Sequence, residues 1–242
     1  MAHKVQPQTN RIAGFARADN WHALLGRLLL ALAMIAIPSA ALADDDPFCR
    51  NGLFGDEQPF ALARIEGTER AYFYSDMDGC PSAGERCRTS QYVIPGDEVV
   101  VSKMRSGFAC AFYPNSGGGT AGWVRIAQLA IIPMPDSPDA NAWAGVWSSE
   151  GNPEIRITMT GTGLHVEGEA IWQGMPSQDG YPVIHTGEMQ GRIDQLGNRA
   201  RFDDGFCEAH FTLLGDYMIV GDNRGCGGVN VTFTAVYRRV TE

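Results

Sequence analysis

The chain lacks the features that mark nucleic-acid binding and common catalytic chemistry. Its 242 residues hold 19 Lys and Arg against 28 Asp and Glu, a net charge of −9, so no nucleic-acid partner is expected. No C-x-x-C pair occurs, and His165, His185 and His210 are not grouped with cysteines as zinc ligands are. The H-E-x-x-H and G-x-S-x-G motifs are also missing, so we expect no cofactor and no enzymatic activity.

A run of apolar residues long enough to cross a membrane is missing as well. Residues 28–37 read LLLALAMIAI, about ten residues where a spanning helix needs ~20. Arg27 precedes this run and Ala41-Leu42-Ala43 follows it, which is typical of a secretory signal peptide with an A-x-A cleavage site. We therefore expect cleavage of residues 1–43 and a periplasmic or secreted bacterial protein without stable membrane insertion. An uncleaved anchor is the alternative.

The remaining chain is more acidic and contains all the cysteines. The leader holds four basic residues and only Asp19 as an acid, so its removal changes the net charge from −9 to −12. An even number of cysteines in an exported chain predicts disulfides. The six are Cys49, Cys80, Cys87, Cys110, Cys207 and Cys226.

A Pro-rich segment divides the chain. Pro133-Met134-Pro135-Asp136-Ser137-Pro138-Asp139 interrupts any helix or strand. We assign 44–132 and 142–242 as domains and 133–141 as their linker. Cys207 and Cys226 are the two cysteines beyond the linker, so they are predicted to pair. The four earlier cysteines allow three pairings, of which we favour Cys80–Cys87 with Cys49–Cys110.

Short alternating runs broken by Gly, Asn and Asp predict an all-β protein. In the second half, Ile155, Ile157 and Met159 alternate with polar residues, and Leu164 to Trp172 alternate in the same way. Further candidate strands are 144–148, 183–193, 198–203, 206–213, 217–221 and 230–238. About eight short strands are enough for a small closed antiparallel barrel, whose interior we expect to be filled by its own side chains.

The first half resembles the bacterial SH3 domain family over about residues 60–132. The resemblance is in "PGDEV" (Pro95–Val99), "T-x-GWV" (Thr120–Val124) and the following Leu129-Ala130. It implies a small antiparallel barrel that docks on cell-wall peptides or on protein partners. The insert from Cys80 to Cys87 stands where a binding loop would lie. We take Tyr72 and Tyr74 as candidate binding residues exposed at the rim; burial in the core is the alternative for such aromatics.

The second half resembles the calycin and lipocalin pattern. Gly145-Val146-Trp147 forms a G-x-W on the first strand, and Arg238 and Arg239 lie on the last. The resemblance implies closure of the barrel end by Trp147, with the guanidinium of one of the two arginines on its ring. Asp222 to Arg239 also looks like C-terminal segments of bacterial lysozyme-inhibitor-like envelope proteins.

Several isolated polar groups have ordinary structural explanations. Asp76-Met77-Asp78-Gly79 begins like a calcium loop, but the twelfth position is Cys87 rather than Glu. Glu167 and Glu169 share one face of a strand, as solvated residues do. His185 lies on an apolar alternating run, where a structural histidine is favoured over a general base.

These patterns favour a non-catalytic envelope protein of two small β-barrels. Its expected partner is a cell-wall component or an envelope protein, bound through the SH3-like half. The first alternative is inhibition of a cationic, lysozyme-like wall hydrolase by the acidic second barrel, since opposite charge speeds encounter. The second is transport of a small apolar ligand in that barrel.

Overall fold

The computed structural model describes residues 48–56, 58–149 and 152–241, apart from the side chains of 152 and 153. The expected signal peptide lies outside these residues. Within them the chain is nearly all β and forms an open antiparallel sheet and a closed antiparallel barrel. None of the helices in these ranges has the length and apolarity of a membrane span.

The first half begins with a one-turn helix, α1 (Asn51–Phe54), and continues as seven strands. Their hydrogen-bonded order is β3-β2-β6-β5-β4-β1-β7, so β3 and β7 are the edges and the expected closure into a barrel is not present in this ladder. The strands are β1 (Ala61–Ile65), β2 (Ala71–Tyr74), β3 (Arg88–Val93), β4 (Glu98–Arg105), β5 (Phe108–Tyr113), β6 (Thr120–Arg125) and β7 (Leu129–Ile132).

The second half is the eight-stranded barrel that the alternating pattern predicts. Each strand pairs with the next along the chain, and the last strand pairs with the first through Arg239 and Trp147. The strands are β8 (Gly145–Ser149), β9 (Asn152–Thr160), β10 (Gly163–Gln173), β11 (Ile184–Leu196), β12 (Arg199–Asp203), β13 (Glu208–Leu214), β14 (Tyr217–Asp222) and β15 (Ala235–Arg239).

The last strand is shorter than the predicted 230–238, because side chains replace part of its ladder. The Asp222 carboxylate accepts hydrogen bonds from the hydroxyl of Thr232 (2.9 Å) and from the amide of Phe233 (2.5 Å). The Thr234 hydroxyl accepts from the Asp222 amide at 3.0 Å. Such side-chain bonds compete with strand pairing, so regular pairing starts at Ala235.

Three disulfides close the loops of the two halves. They join Cys49 to Cys110, Cys80 to Cys87 and Cys207 to Cys226, which confirms the favoured pairing. Disulfides form in oxidising compartments, so these bridges indicate a protein that folds outside the cytoplasm.

The sheet and the barrel are packed against each other through a common apolar cluster. Outward-facing barrel residues, Tyr217, Ile219 and Val236, belong to the same buried cluster as Phe54 and Phe112 of the first half. The backbones also approach closely, because a Cβ placed on Gly221 of β14 would lie 2.7 Å from the carbonyl oxygen of Gly55. The two halves therefore stabilise each other.

Candidate functional site

The two tyrosines proposed from the sequence lie in different environments. Tyr74 is buried, with 4% of its surface exposed, so its expected position at an exposed rim is wrong. Its hydroxyl donates to Glu85 (3.0 Å) and accepts from Nε of Arg125 (3.0 Å), while Arg125 also donates to Glu85 (2.6 Å). The hydrogen bond from Arg125, and to a smaller extent the one from Tyr74, lowers the pKa of the Glu85 carboxyl group. Tyr74 thus anchors the Cys80–Cys87 insert to the sheet.

Tyr72, in contrast, is partly exposed and belongs to a row in which two tyrosines lie between two arginines. Its ring centroid lies 5.8 Å from that of Tyr92, the residue paired with it on β3. The guanidinium of Arg70 lies 4.2 Å from the Tyr92 ring, and that of Arg88 lies 4.6 Å from the Tyr72 ring. We call Arg70, Tyr92, Tyr72 and Arg88 the aromatic row.

The aromatic row is accessible because it lies at the edge of the sheet. β3 is an edge strand, and Tyr92 exposes 42% of its surface. Cross-strand pairing and cation–π contacts hold the rings in place on the sheet surface. Tyr92, Arg70 and Arg88 were not among the site residues predicted from the sequence. The i, i+2 spacing of Arg70 and Tyr72 is a signal that places them on one face.

In the barrel, Arg239 and not Arg238 lies on the closing tryptophan. Trp147 is fully buried, its indole N–H donates to the Trp143 carbonyl (3.0 Å), and the Arg239 guanidinium stands 4.1 Å from its ring. Arg239 also donates to the Ala144 carbonyl (2.6 Å), to the Ala142 carbonyl and to Asp216 (3.2 Å). The Arg238 guanidinium lies instead 5.6 Å from the Tyr217 ring.

The barrel interior is filled with side chains. Its buried cluster includes Trp143, Met189, Phe202, Phe211 and Phe233. Tyr237 is also buried there; its hydroxyl donates to the Phe233 carbonyl, and burial raises its pKa far above the usual range. A carrier of apolar ligands needs a cavity inside the barrel. In this barrel, the side chains of the buried cluster occupy that space.

The longest hairpin of the barrel has a conspicuously apolar tip. β10 and β11 pair from Leu164↔Ile193 to Gln173↔Ile184, and residues 174–183 form the loop. Within the loop, the backbone amide of Ser177 donates a hydrogen bond to the carbonyl oxygen of Tyr181 (2.8 Å). Four large side chains in or beside this loop are exposed, and we call them the hairpin tip. Their exposed fractions are 67% for Ile171, 88% for Met175, 72% for Tyr181 and 53% for Ile184. This patch was not predicted from the sequence, although apolar residues inside a turn-rich loop are a signal for it.

Two carboxylates lie on the outer surface beside the hairpin tip. Glu169 on β10 is directly opposite Glu188 on β11. Like charges in this position repel each other, and neither forms an ion pair with another described residue. A cationic group from a partner would relieve this repulsion.

The other polar residues considered from the sequence have structural contacts. Asp76 accepts from Nε of Arg50 (2.7 Å) and from the Cys49 amide (3.1 Å). Nδ1 of His185 lies 2.5 Å from the Val229 carbonyl oxygen, and its ring packs on Trp172. Over the described ranges, no group of three His, Cys, Asp or Glu is arranged to hold a metal ion.

Comparison of the chain with protein families, curated proteins and solved structures found no match. The aromatic row and the hairpin tip are therefore the features of the molecule that indicate a function.

Proposed function

We propose that this chain is a non-catalytic binding protein of the bacterial cell envelope, periplasmic or secreted, whose SH3-like half docks on an anionic component of the cell wall. The observation that carries the proposal is the aromatic row. Tyrosine and arginine are, with tryptophan, the residue types enriched among those that supply most of the binding energy at interfaces.

The geometry of the row favours binding. The two rings already meet edge to face and each has a guanidinium group over it, so little side-chain freedom is lost when a partner is bound. Arg70 and Arg88 flank the two rings, and because Arg88 also forms an ion pair with Glu85 (3.4 Å), Arg70 supplies most of the positive charge here, in a chain whose overall charge is −9. This favours a partner that presents carboxylate or phosphate groups next to flat sugar or peptide surfaces.

The test is retention of the full-length chain on purified sacculi. Tyr92→Ala should weaken retention about tenfold, the effect of ~1.4 kcal/mol, with little change in melting temperature because Tyr92 is exposed. Tyr181→Ala is the matched control, since it removes an exposed tyrosine from the other half. Equal retention of the Tyr92→Ala and wild-type proteins would contradict the proposal.

The hairpin tip favours a second candidate function, inhibition of a cationic wall hydrolase. An exposed apolar loop beside the Glu169–Glu188 pair fits a protein surface that carries Lys or Arg around an apolar centre. With a c-type lysozyme as probe, the roles of the two tyrosine variants exchange. Tyr181→Ala should lose inhibition and Tyr92→Ala should keep it. Inhibition should also weaken as salt rises, because exposed charges are screened beyond ~8 Å at physiological ionic strength.

A further inference from the structure

A cleft runs along the contact between the sheet and the barrel. Its volume is about 490 Å³, within the range of small-molecule sites. One wall is the loop after β5, at Asn115 to Gly119; the other is formed by the ends of β8 and β15, with Ser148, Ser149 and Arg238. The cleft is separate from both the aromatic row and the hairpin tip.

The described lining of the cleft carries positive charge although the chain is acidic. Among the described residues that line it, two are arginines and none is Asp or Glu. Arg239 is already committed to the Trp147 ring, to Asp216 and to backbone carbonyls. The Arg238 side chain is exposed and, within the described ranges, has no hydrogen bond or ion pair, only the contact with the Tyr217 ring. Its five N–H donors are therefore available to a ligand.

The loop wall is fixed in position by its own hydrogen bonds. The Asn115 side chain accepts from the Gly117 amide (2.9 Å) and donates to the Thr120 hydroxyl (3.0 Å). Nδ2 of Asn51 donates to the Gly119 carbonyl at 2.7 Å. Gly119 has φ +88°, and a Cβ there would lie 2.1 Å from the Phe112 ring, so this position requires glycine.

We infer that this cleft binds a small carboxylate-bearing ligand, with Arg238 pairing with the carboxylate. A guanidinium pairs with a carboxylate through two parallel hydrogen bonds. The hydroxyls of Ser148 and Ser149 can bond to polar groups next to the carboxylate, and Phe112 and Val236 give the cleft an apolar floor. The terminal carboxylate of a short peptide and that of a sugar acid both have this chemistry.

The test is a titration of the ¹⁵N-labelled full-length chain with four probes, N-acetyl-alanyl-alanine, its C-terminal amide, glucuronate and inorganic phosphate. We expect at least one of the two carboxylates to shift the amides of Gly118, Gly119, Ser148 and Ser149 saturably. The C-terminally amidated dipeptide should cause no such shift, since it lacks the charge that pairs with Arg238. Whichever carboxylate binds more tightly identifies the source as peptide or sugar.

Two arginine variants make the test specific. Arg238→Gln should weaken binding about tenfold or more, the effect expected for loss of a charge-assisted hydrogen bond. Arg199→Gln makes the same change of charge on β12, outside the cleft lining, and should leave binding within about twofold, since exposed distant charges are screened.

Three results would overturn the inference: no saturable shift with either carboxylate, equal binding by Arg238→Gln and wild type, or phosphate binding as tightly at the same amides. Tyr92→Ala should leave the titration unchanged, so failure here is distinguishable from failure of the docking proposal.

Discussion

Replacement of Trp147 by alanine should strongly destabilise the protein. The side chain is fully buried, and removal of a buried Trp costs ~3–5 kcal/mol through lost burial and the cavity left behind. Part of that loss is the cation–π contact with Arg239 at 4.1 Å, about 0.5–2 kcal/mol. Another part is the hydrogen bond to the Trp143 carbonyl, about 1 kcal/mol. Because domains are stable by only ~5–15 kcal/mol, this is a large fraction of the total.

Urea unfolding of the full-length chain, followed by circular dichroism, measures this effect. Trp147→Phe keeps an aromatic ring in the core but lacks the indole N–H, so we expect a smaller loss of about 1–2 kcal/mol. Ile171→Ala, at a position 67% exposed, is the control and should stay within ~0.5 kcal/mol of wild type. A loss of less than about 1 kcal/mol for Trp147→Ala would show that Trp147 does not hold the barrel closed.

Three further predictions follow from export, acid titration and the barrel disulfide. Mass spectrometry of the exported protein should find Asp44 as its first residue; a membrane-bound form that keeps the leader would contradict export. Burial raises the pKa of Asp76, but hydrogen bonds from Arg50 and the Cys49 amide outweigh it and lower the pKa below its usual 3.8. The stability that Asp76 gives is thus present above its unfolded-state pKa and lost as pH falls through the lower folded-state value; Asp76→Asn should be less stable at pH 7 and lose less on acidification, by urea unfolding. Replacing Cys207 and Cys226 by serine should cost about 3 kcal/mol in the same assay, and no measurable loss would contradict a structural role.

The barrel strands could be predicted because alternation survives in the local sequence. Leu164, Val166 and Ala170 are buried while Glu167 and Glu169 are exposed, as the period of two requires. The start of the last strand could not be predicted in this way. There, the bonds from Thr232 and Phe233 to Asp222 depend on a residue ten and eleven positions earlier in the chain.

The different burial of the two candidate tyrosines also depends on contacts that the local sequence does not reveal. Tyr72 and Tyr74 are two residues apart, but Tyr74 is buried in an apolar cluster with Phe108 and its hydroxyl is bonded to Glu85 and Arg125, whereas Tyr72 lies at the edge of that cluster. Neither Glu85 nor Arg125 is close to Tyr74 in sequence. The disulfide pairing could be favoured in advance, since separation along the chain already limits which cysteines can meet.

The Pro-rich segment predicts two domains, whereas the apolar cluster shows that they depend on each other. Tyr217, Ile219 and Val236 on the barrel surface are buried by the sheet, and each apolar side chain kept from water contributes about 1.5–3 kcal/mol. A cut at the segment would expose these residues together with Phe54 and Phe112, so an isolated half would present an apolar surface that the intact chain does not have. Adsorption by an isolated half would reflect that surface as much as the aromatic row or the hairpin tip. For this reason, point variants in the full-length chain can separate the proposed binding sites, and truncation cannot.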